Sequence, residues 1–417
     1  MAVAGRVAGM TGMLLWLAGC GGQDADLMQA TAHRDPLTAA KALEGGADAD
    51  ARDPQSGWTA LMLATSLGDT DTAARLLDAG ADPNLDAGKT GIAPLLMAAE
   101  RGDWAMAKLL VARSAAPAAA KKDGTTALHL AAAAGQLDAV ALLLDRGAPV
   151  DARRSKNLST PLLMALGEKQ ADVAKLLLDR GADPNVTTGD GQPALFIAMR
   201  IKDRSDVLPA MLARGASIDV TDGAGSSPLL RAIEGGNAEA AEALIGAGAD
   251  VDAARGDGAT PLMVAVISKK PKLVRLLCER GADPNTADAA GTPPLVAAAA
   301  GGEVSSTRAL MRCGADATAS ATGGRTALIA AVEAGSVETV TALLEEGAGT
   351  SPAAEALASE HGQTEVLAAL QTVRSRAEVQ REKEEAKARE KAEKARLKAE
   401  RERAKAEKAR LKAQRGG

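Results

Sequence analysis

Only a handful of side chains in this 417-residue sequence could titrate near neutral pH, ligate a soft metal or attack an electrophile: His33, His129 and His361, with Cys20, Cys278 and Cys313. There is no Tyr, and aromatics are confined to three Trp and one Phe. The three His lie far apart and share no metal-ligand spacing with one another or with a Cys. No Ser or Cys stands in a nucleophile context, and no Gly-rich phosphate loop follows a strand. General acids and bases are correspondingly few. The sequence therefore predicts a protein that is not an enzyme and needs no metal or cofactor. Scarce aromatics also exclude an aromatic-rich enzyme core, a cage for cationic ligands and a platform for stacking bases.

The first cysteine closes an address. Residues 1–20 read MAVAGRVAGMTGMLLWLAGC: one cation, Arg6, then an apolar run from Val7 to Leu17 that is too short to span a bilayer. Leu17-Ala18-Gly19-Cys20 resembles the lipobox of bacterial lipoproteins, and the alternative is an ordinary signal peptide that happens to hold a cysteine. The resemblance implies removal of residues 1–19, lipidation of Cys20, and a flexible linker over 20–26. Several acyl chains anchor far more firmly than one. Gly21 rather than Asp follows the cysteine, which in lipoproteins of this type favours the outer membrane, facing the periplasm. Cys278 and Cys313 would then sit in an oxidising compartment. Cys278 lies three residues before Gly281 and Cys313 one before Gly314, so they occupy different places in their units. They are expected to be unbridged, with Cys278 a small core residue where other units carry Leu77, Leu144, Leu178 or Leu344.

The elements that hold these residues repeat. Leucines preceded by Pro or Ala recur at Leu61, Leu95, Leu128, Leu162, Leu195, Leu229, Leu262, Leu295 and Leu328, at intervals of 33 or 34. Thr-Pro-Leu stands at 160–162 and 260–262, Thr-Ala-Leu-His-Leu-Ala-Ala at 126–132, and Gly-Ala-Asp-Pro-Asn at 80–84, 181–185 and 281–285. Thr caps a helix and Pro suits its first turn. Small residues follow, then a second helix with an apolar stripe such as Val140, Leu143 and Leu144. Gly ends it in a left-handed cap. This period and these motifs resemble the ankyrin repeat over about residues 27–371, or ten to eleven units with polar caps at both ends. The resemblance implies an all-α solenoid of helix-turn-helix units joined by short hairpin loops.

Departures from the pattern carry expectations. Ser114 replaces a capping Gly, so the second full unit is expected to be weaker. Lys169 stands where other units put a Gly between helices, Pro209 lies inside a second helix, and Pro271 lies near the start of one. The residue after the motif leucine, His in the family, is matched only by His129. Met62, Leu96, Leu163, Phe196, Leu230, Met263, Val296 and Ile329 elsewhere form a series expected to pack in the core, with a ligand groove as the alternative. His129 is expected to bond to the adjacent turn, as that family position does.

Charge is segregated. Residues 374–415 hold 17 Lys and Arg against 9 Glu, a net +8, whereas residues 20–373 carry 31 positive and 45 negative side chains, a net −14. Ala and opposite charges spaced three and four apart predict a charged helix over 372–417. Ala388, Ala392, Ala395, Ala399, Ala406, Ala409 and Ala413 follow a seam interrupted by Glu402, and the run at 394–399 recurs 14 residues later. That period permits a coiled coil, but an Ala seam buries little, so a lone solvated helix is the competing reading.

Ankyrin-like arrays bind proteins through hairpin tips and the face of the first helices. By that likeness, the tip residues Lys121, Lys122, Arg153, Arg154 and Lys156 form a candidate site for an acidic partner, or are simply solvated. Trp58 is either a binding anchor or a cover for the N-terminal cap, and Trp104 is expected to pack. The reading is a non-catalytic protein-protein interaction scaffold, lipid-anchored in the bacterial cell envelope, with an unidentified protein partner. The alternative is a structural spacer joining the membrane to the cell wall or another envelope layer. The helix over 374–415 could then touch an anionic polymer or associate weakly with itself. Its interspersed Glu and the export signal argue against nucleic acid.

Overall fold

Helix starts follow the oxygen-bearing caps that the sequence places ahead of them. Thr59, Thr126, Thr160, Thr260 and Thr326 each accept, through Oγ1, the N–H three residues on. This satisfies donors that the first helical turn leaves open. Asp69, Asp103 and Ser336 do the same for second helices. The computed structural model describes residues 22–87, 91–201 and 206–415, and their side chains except at 376–379, 404 and 407–415. The signal over 1–19 and Cys20 lie outside the described residues. What is described is a succession of short helix-turn-helix repeats, such as Ala60–Leu67 with Thr70–Asp78 and Pro161–Gly167 with Ala171–Asp179. Hairpin loops join them. In one, Ser320–Ala321 pairs antiparallel with Arg325–Thr326, and Arg52–Thr59, Ala120–Thr126 and Thr187–Pro193 form single bridges in others. Among the described residues no helix is long and apolar enough to cross a membrane.

The core is a series of thin layers. All nine motif leucines are at most 4% exposed, and Met62, Leu96, Leu163, Phe196, Leu230, Met263 and Val296 beside them are buried. Those seven members of the apolar series pack in the core, whereas Ile329, the eighth, is half-buried. The chain divides into two compact bodies, Met1–Pro228 with Gly246–Ala249, and Leu229–Ile245 with Asp250–Gly417. Within each body, one side chain recurs as a staple between repeats. Asn84 Oδ1 accepts the Ala116 N–H (2.6 Å) while its amide donates to the Ser114 carbonyl (3.3 Å). Asn185 joins Ser217 and Gly215 in the same way, and Asn285 joins Asp316 and Gly314. Asp50, Asp151 and Asp252 occupy the same register and accept the N–H of Asp82, Asp183 and Asp283.

A second staple runs diagonally. Arg113, Arg146, Arg180, Arg214 and Arg280 each precede the left-handed residue that follows a second helix. Arg113 reaches back to Asp78, Arg180 to Asp145 (2.9 Å), Arg214 to Asp179 (2.9 Å) and Arg280 to Glu242 (2.8 Å). Arg146 donates to the Val111 carbonyl at 2.6 Å, and Arg214 also reaches the Leu178 carbonyl. Cys313 occupies the Arg place, and Cys278 occupies the place of Val111 and Leu178. The two cysteines form a disulfide with their Cα atoms 5.6 Å apart. The expectation of unbridged cysteines is corrected, because their different places in their repeats are the two ends of this diagonal.

Two boundaries also differ from the sequence reading, while Pro209 lies inside a second helix as expected. The linker expected over 20–26 yields to a helix over Gln23–Ala32, whose Asp24 accepts the Asp48 N–H at 2.8 Å. Pro209 falls in the first turn of a shortened helix, Val207–Ala213, where its missing N–H costs no hydrogen bond. The charged helix does not begin after residue 371. It is continuous from Thr364 to Arg415, because neither Gly nor Pro interrupts it and its first turns bury Val366 and Leu370 in the last repeat. Lys169, Lys269 and Ser114 adopt the left-handed conformation usual for Gly, at φ 57°, 53° and 71°.

The bridge closes a loop of 35 residues, which corresponds to roughly 2–4 kcal/mol of stability. A reducing agent is expected to lower the thermal midpoint of the wild type and leave a Cys278→Ser/Cys313→Ser variant unmoved. An unshifted wild-type midpoint would show that the bridge does not form.

Candidate functional site

Two successive hairpins carry the basic residues singled out above, and a glycine lets them meet. Gly124 has φ +79°, and a β-carbon there would stand 2.6 Å from the Arg153 carbonyl oxygen and 3.2 Å from Arg154 Cα. Next to it, the Asp123 carbonyl accepts the Ser155 N–H (2.8 Å) and hydroxyl (3.2 Å). The Asp123 carboxylate accepts the Thr125 N–H at 3.0 Å and lies 3.5 Å from Arg154 Nη2. Thr125 foremost, then Arg154 and Lys121, hold that carboxyl down to a pKa of about 2. It is therefore a permanent counter-charge inside the basic cluster.

The five candidates separate into two kinds. Lys121 pairs with Glu100 and Arg154 with Asp123, so both are internal ties. Lys122, Arg153 and Lys156 are exposed. The second of these hairpins carries a residue that the sequence reading passed over. Leu158 occupies the register of Gly57, Gly91, Gly124, Gly191, Gly225, Gly258, Gly291 and Gly324, and it has φ 51° while remaining 44% exposed. A left-handed leucine costs roughly 1–2 kcal/mol. The signal was present in the sequence as the one break in the series of tip glycines, but the series becomes visible only once the hairpins are aligned.

Trp58 is not part of this cluster. It is half-buried in the hairpin that ends at Thr59, where its carbonyl accepts the Asp53 N–H at 2.8 Å, and the hairpin of Gly91 lies between it and the basic pair. Trp104 lines a small crevice with Ala139, Leu142 and Leu143. A concavity of about 440 Å³ opens at the N-terminal helix pair, with Gln29, His33, Asp35 and Lys41 on its walls. Among the described residues no group of three or more His, Cys, Asp or Glu could hold a metal ion.

His129 is fully buried beneath the basic hairpins. Its Nδ1 accepts the Thr126 N–H (3.2 Å), so the proton sits on Nε2, which donates to the Ser159 carbonyl of the next repeat (3.0 Å). Burial foremost, with Arg154 adding to it, lowers its pKa below the ordinary 6.5. The folded chain thus refuses a proton that the unfolded chain accepts, and stability present above pH 6.5 is lost as pH falls through the lower folded-state value. Urea midpoints of the wild type should fall between pH 7 and 5.5, and this slope should flatten in His129→Gln. Equal slopes would remove His129 from the account.

The profile for "Ankyrin repeats (3 copies)" matches residues 27–119, 95–188, 195–288 and 286–354. Among solved structures, the ankyrin repeat domain of Bcl-3, described as a unique member of the IkappaB protein family, is 29% identical. It covers 54% of this chain and 100% of its own, with a TM-score of 0.47. The human ASB11 ankyrin repeat domain is 28% identical, with the same coverage of both chains and a TM-score of 0.44. Among curated proteins none matches significantly.

Proposed function

The chain belongs to the ankyrin-repeat family, and from that premise we propose that it is a non-catalytic scaffold holding a partner protein at the bacterial cell envelope. Ankyrin repeats form protein-protein interaction domains, and the matching family is not an enzyme family. The observation that carries the docking site is Leu158, an exposed leucine held at φ 51° on the hairpin that also carries Arg153 and Lys156, next in sequence to the hairpin of Lys122. An apolar anchor on a basic pair of hairpins fits an acidic segment that presents one apolar side chain. Strain of this kind persists only where neighbouring structure enforces it, and it concentrates at ligand contacts.

Two features support the envelope. Leu17-Ala18-Gly19-Cys20 resembles a lipobox, with Cys20 as the lipidated residue, and the Cys278–Cys313 disulfide suits an oxidising compartment. The helix over Thr364–Arg415 favours an additional spacer role towards the cell wall or another envelope layer, because its 52 residues extend about 78 Å.

A photoreactive amino acid placed at position 158 in intact bacteria tests both parts at once. The expected result is a protein adduct from membrane fractions, lost with Lys122→Glu/Arg153→Glu/Lys156→Glu, and reduced in Cys20→Ser, which should also fail to incorporate labelled palmitate. An adduct that survives the triple substitution would overturn the docking site, and an unlabelled wild type would overturn the anchor.

A further inference from the structure

The C-terminal helix sorts its charges by face. Set in heptads on the Ala seam, Arg389, Arg396 and Arg403 fall in one row beside the seam, and Lys391, Lys398 and Lys405 fall in the row on its other side. All six are exposed. Over 388–406 the seam side holds six cations and a single acid, Glu402, which pairs with Lys405 at 3.2 Å. The opposite side over the same span holds Glu390, Glu393 and Glu400 against Lys394 and Arg401. The net charge of the helix is therefore concentrated on the strip that a coiled-coil partner would cover.

That arrangement selects an occupant. In a coiled coil the rows flanking the seam face the corresponding rows of the partner, and like charges there are repulsive. A second copy would set cation against cation in both parallel and antiparallel arrangements. A membrane surface requires a broad apolar face beside the cations, and this seam is alanine. We propose that residues 388–406 bind an acidic α-helix of another protein, one with Glu or Asp in both flanking rows and bulky aliphatics opposite the alanines. This site is separate from the hairpin site at Leu158 and stands or falls independently of it.

The test uses the unlipidated full-length Cys20→Ser chain and a labelled 28-residue synthetic helix with Leu at its seam and Glu in both flanking rows. Fluorescence anisotropy should show one-to-one binding that weakens at least tenfold between 50 and 300 mM NaCl. Arg396→Glu/Lys398→Glu/Arg403→Glu should abolish it. The equal charge change on the far side, Lys387→Glu/Lys394→Glu/Arg401→Glu, should weaken it less than threefold, as should Lys122→Glu/Arg153→Glu at the hairpins. Circular dichroism checks that each variant keeps its helix. Equal loss from both tail triples would mean generic attraction to polyanions and would overturn the proposal. So would equally tight binding of polyglutamate, of duplex DNA, or of vesicles with one anionic lipid in four. A dimer in sedimentation that the seam-side triple dissolves would overturn it in favour of a second copy.

Discussion

Six of the repeats in this chain are tied to the next one through a single Asn or Asp side chain, which leaves its own turn to accept a backbone N–H some thirty residues on. Asn84, Asn185 and Asn285 also donate to the carbonyl of the residue that ends the following second helix. One such bond contributes only about 1 kcal/mol. Its importance is geometric, because it fixes the spacing at which Leu61, Leu95 or Leu128 meets the adjacent layer. With spacing set by polar staples, each layer can be filled by Ala, Leu, Val and Met, and a chain of this length needs almost no aromatics.

The same register explains the exceptions. A diagonal that is arginine to carboxylate or carbonyl in five places becomes a disulfide where both ends are cysteine. Left-handed positions that glycine fills without cost become strained at Ser114, Lys169 and Lys269, and at Leu158 on a hairpin tip. Leu158 differs from the other three in being apolar and exposed on a basic hairpin. Under the proposed docking role that combination gives a strained residue a use at the surface, whereas Ser114, Lys169 and Lys269 lie at helix ends.

The fold was legible because its signals are local and repeated. Thr or Pro at the start of a first helix recurs nine times and a Gly at its end six times, and each is a statement about one turn of backbone. Contacts between repeats were less legible. The cysteines looked mismatched because they were compared place by place, while neighbouring repeats touch along a diagonal. The basic hairpins were found from charge alone, which did not reveal that Lys121 and Arg154 are already paired or that an exposed, left-handed Leu158 shares the second hairpin. The start of the final helix was misjudged because composition changes at residue 374, whereas a helix stops only where hydrogen bonding or backbone geometry stops it.

Hydrogen exchange on an Asn185→Ala chain tests the staple most directly. The predicted result is a loss of protection centred on the Ser217 amide, which Asn185 accepts at 2.8 Å, spreading into the repeats on either side and fading beyond them. Unchanged protection at Ser217 would contradict the account, as would an equal loss along the whole chain.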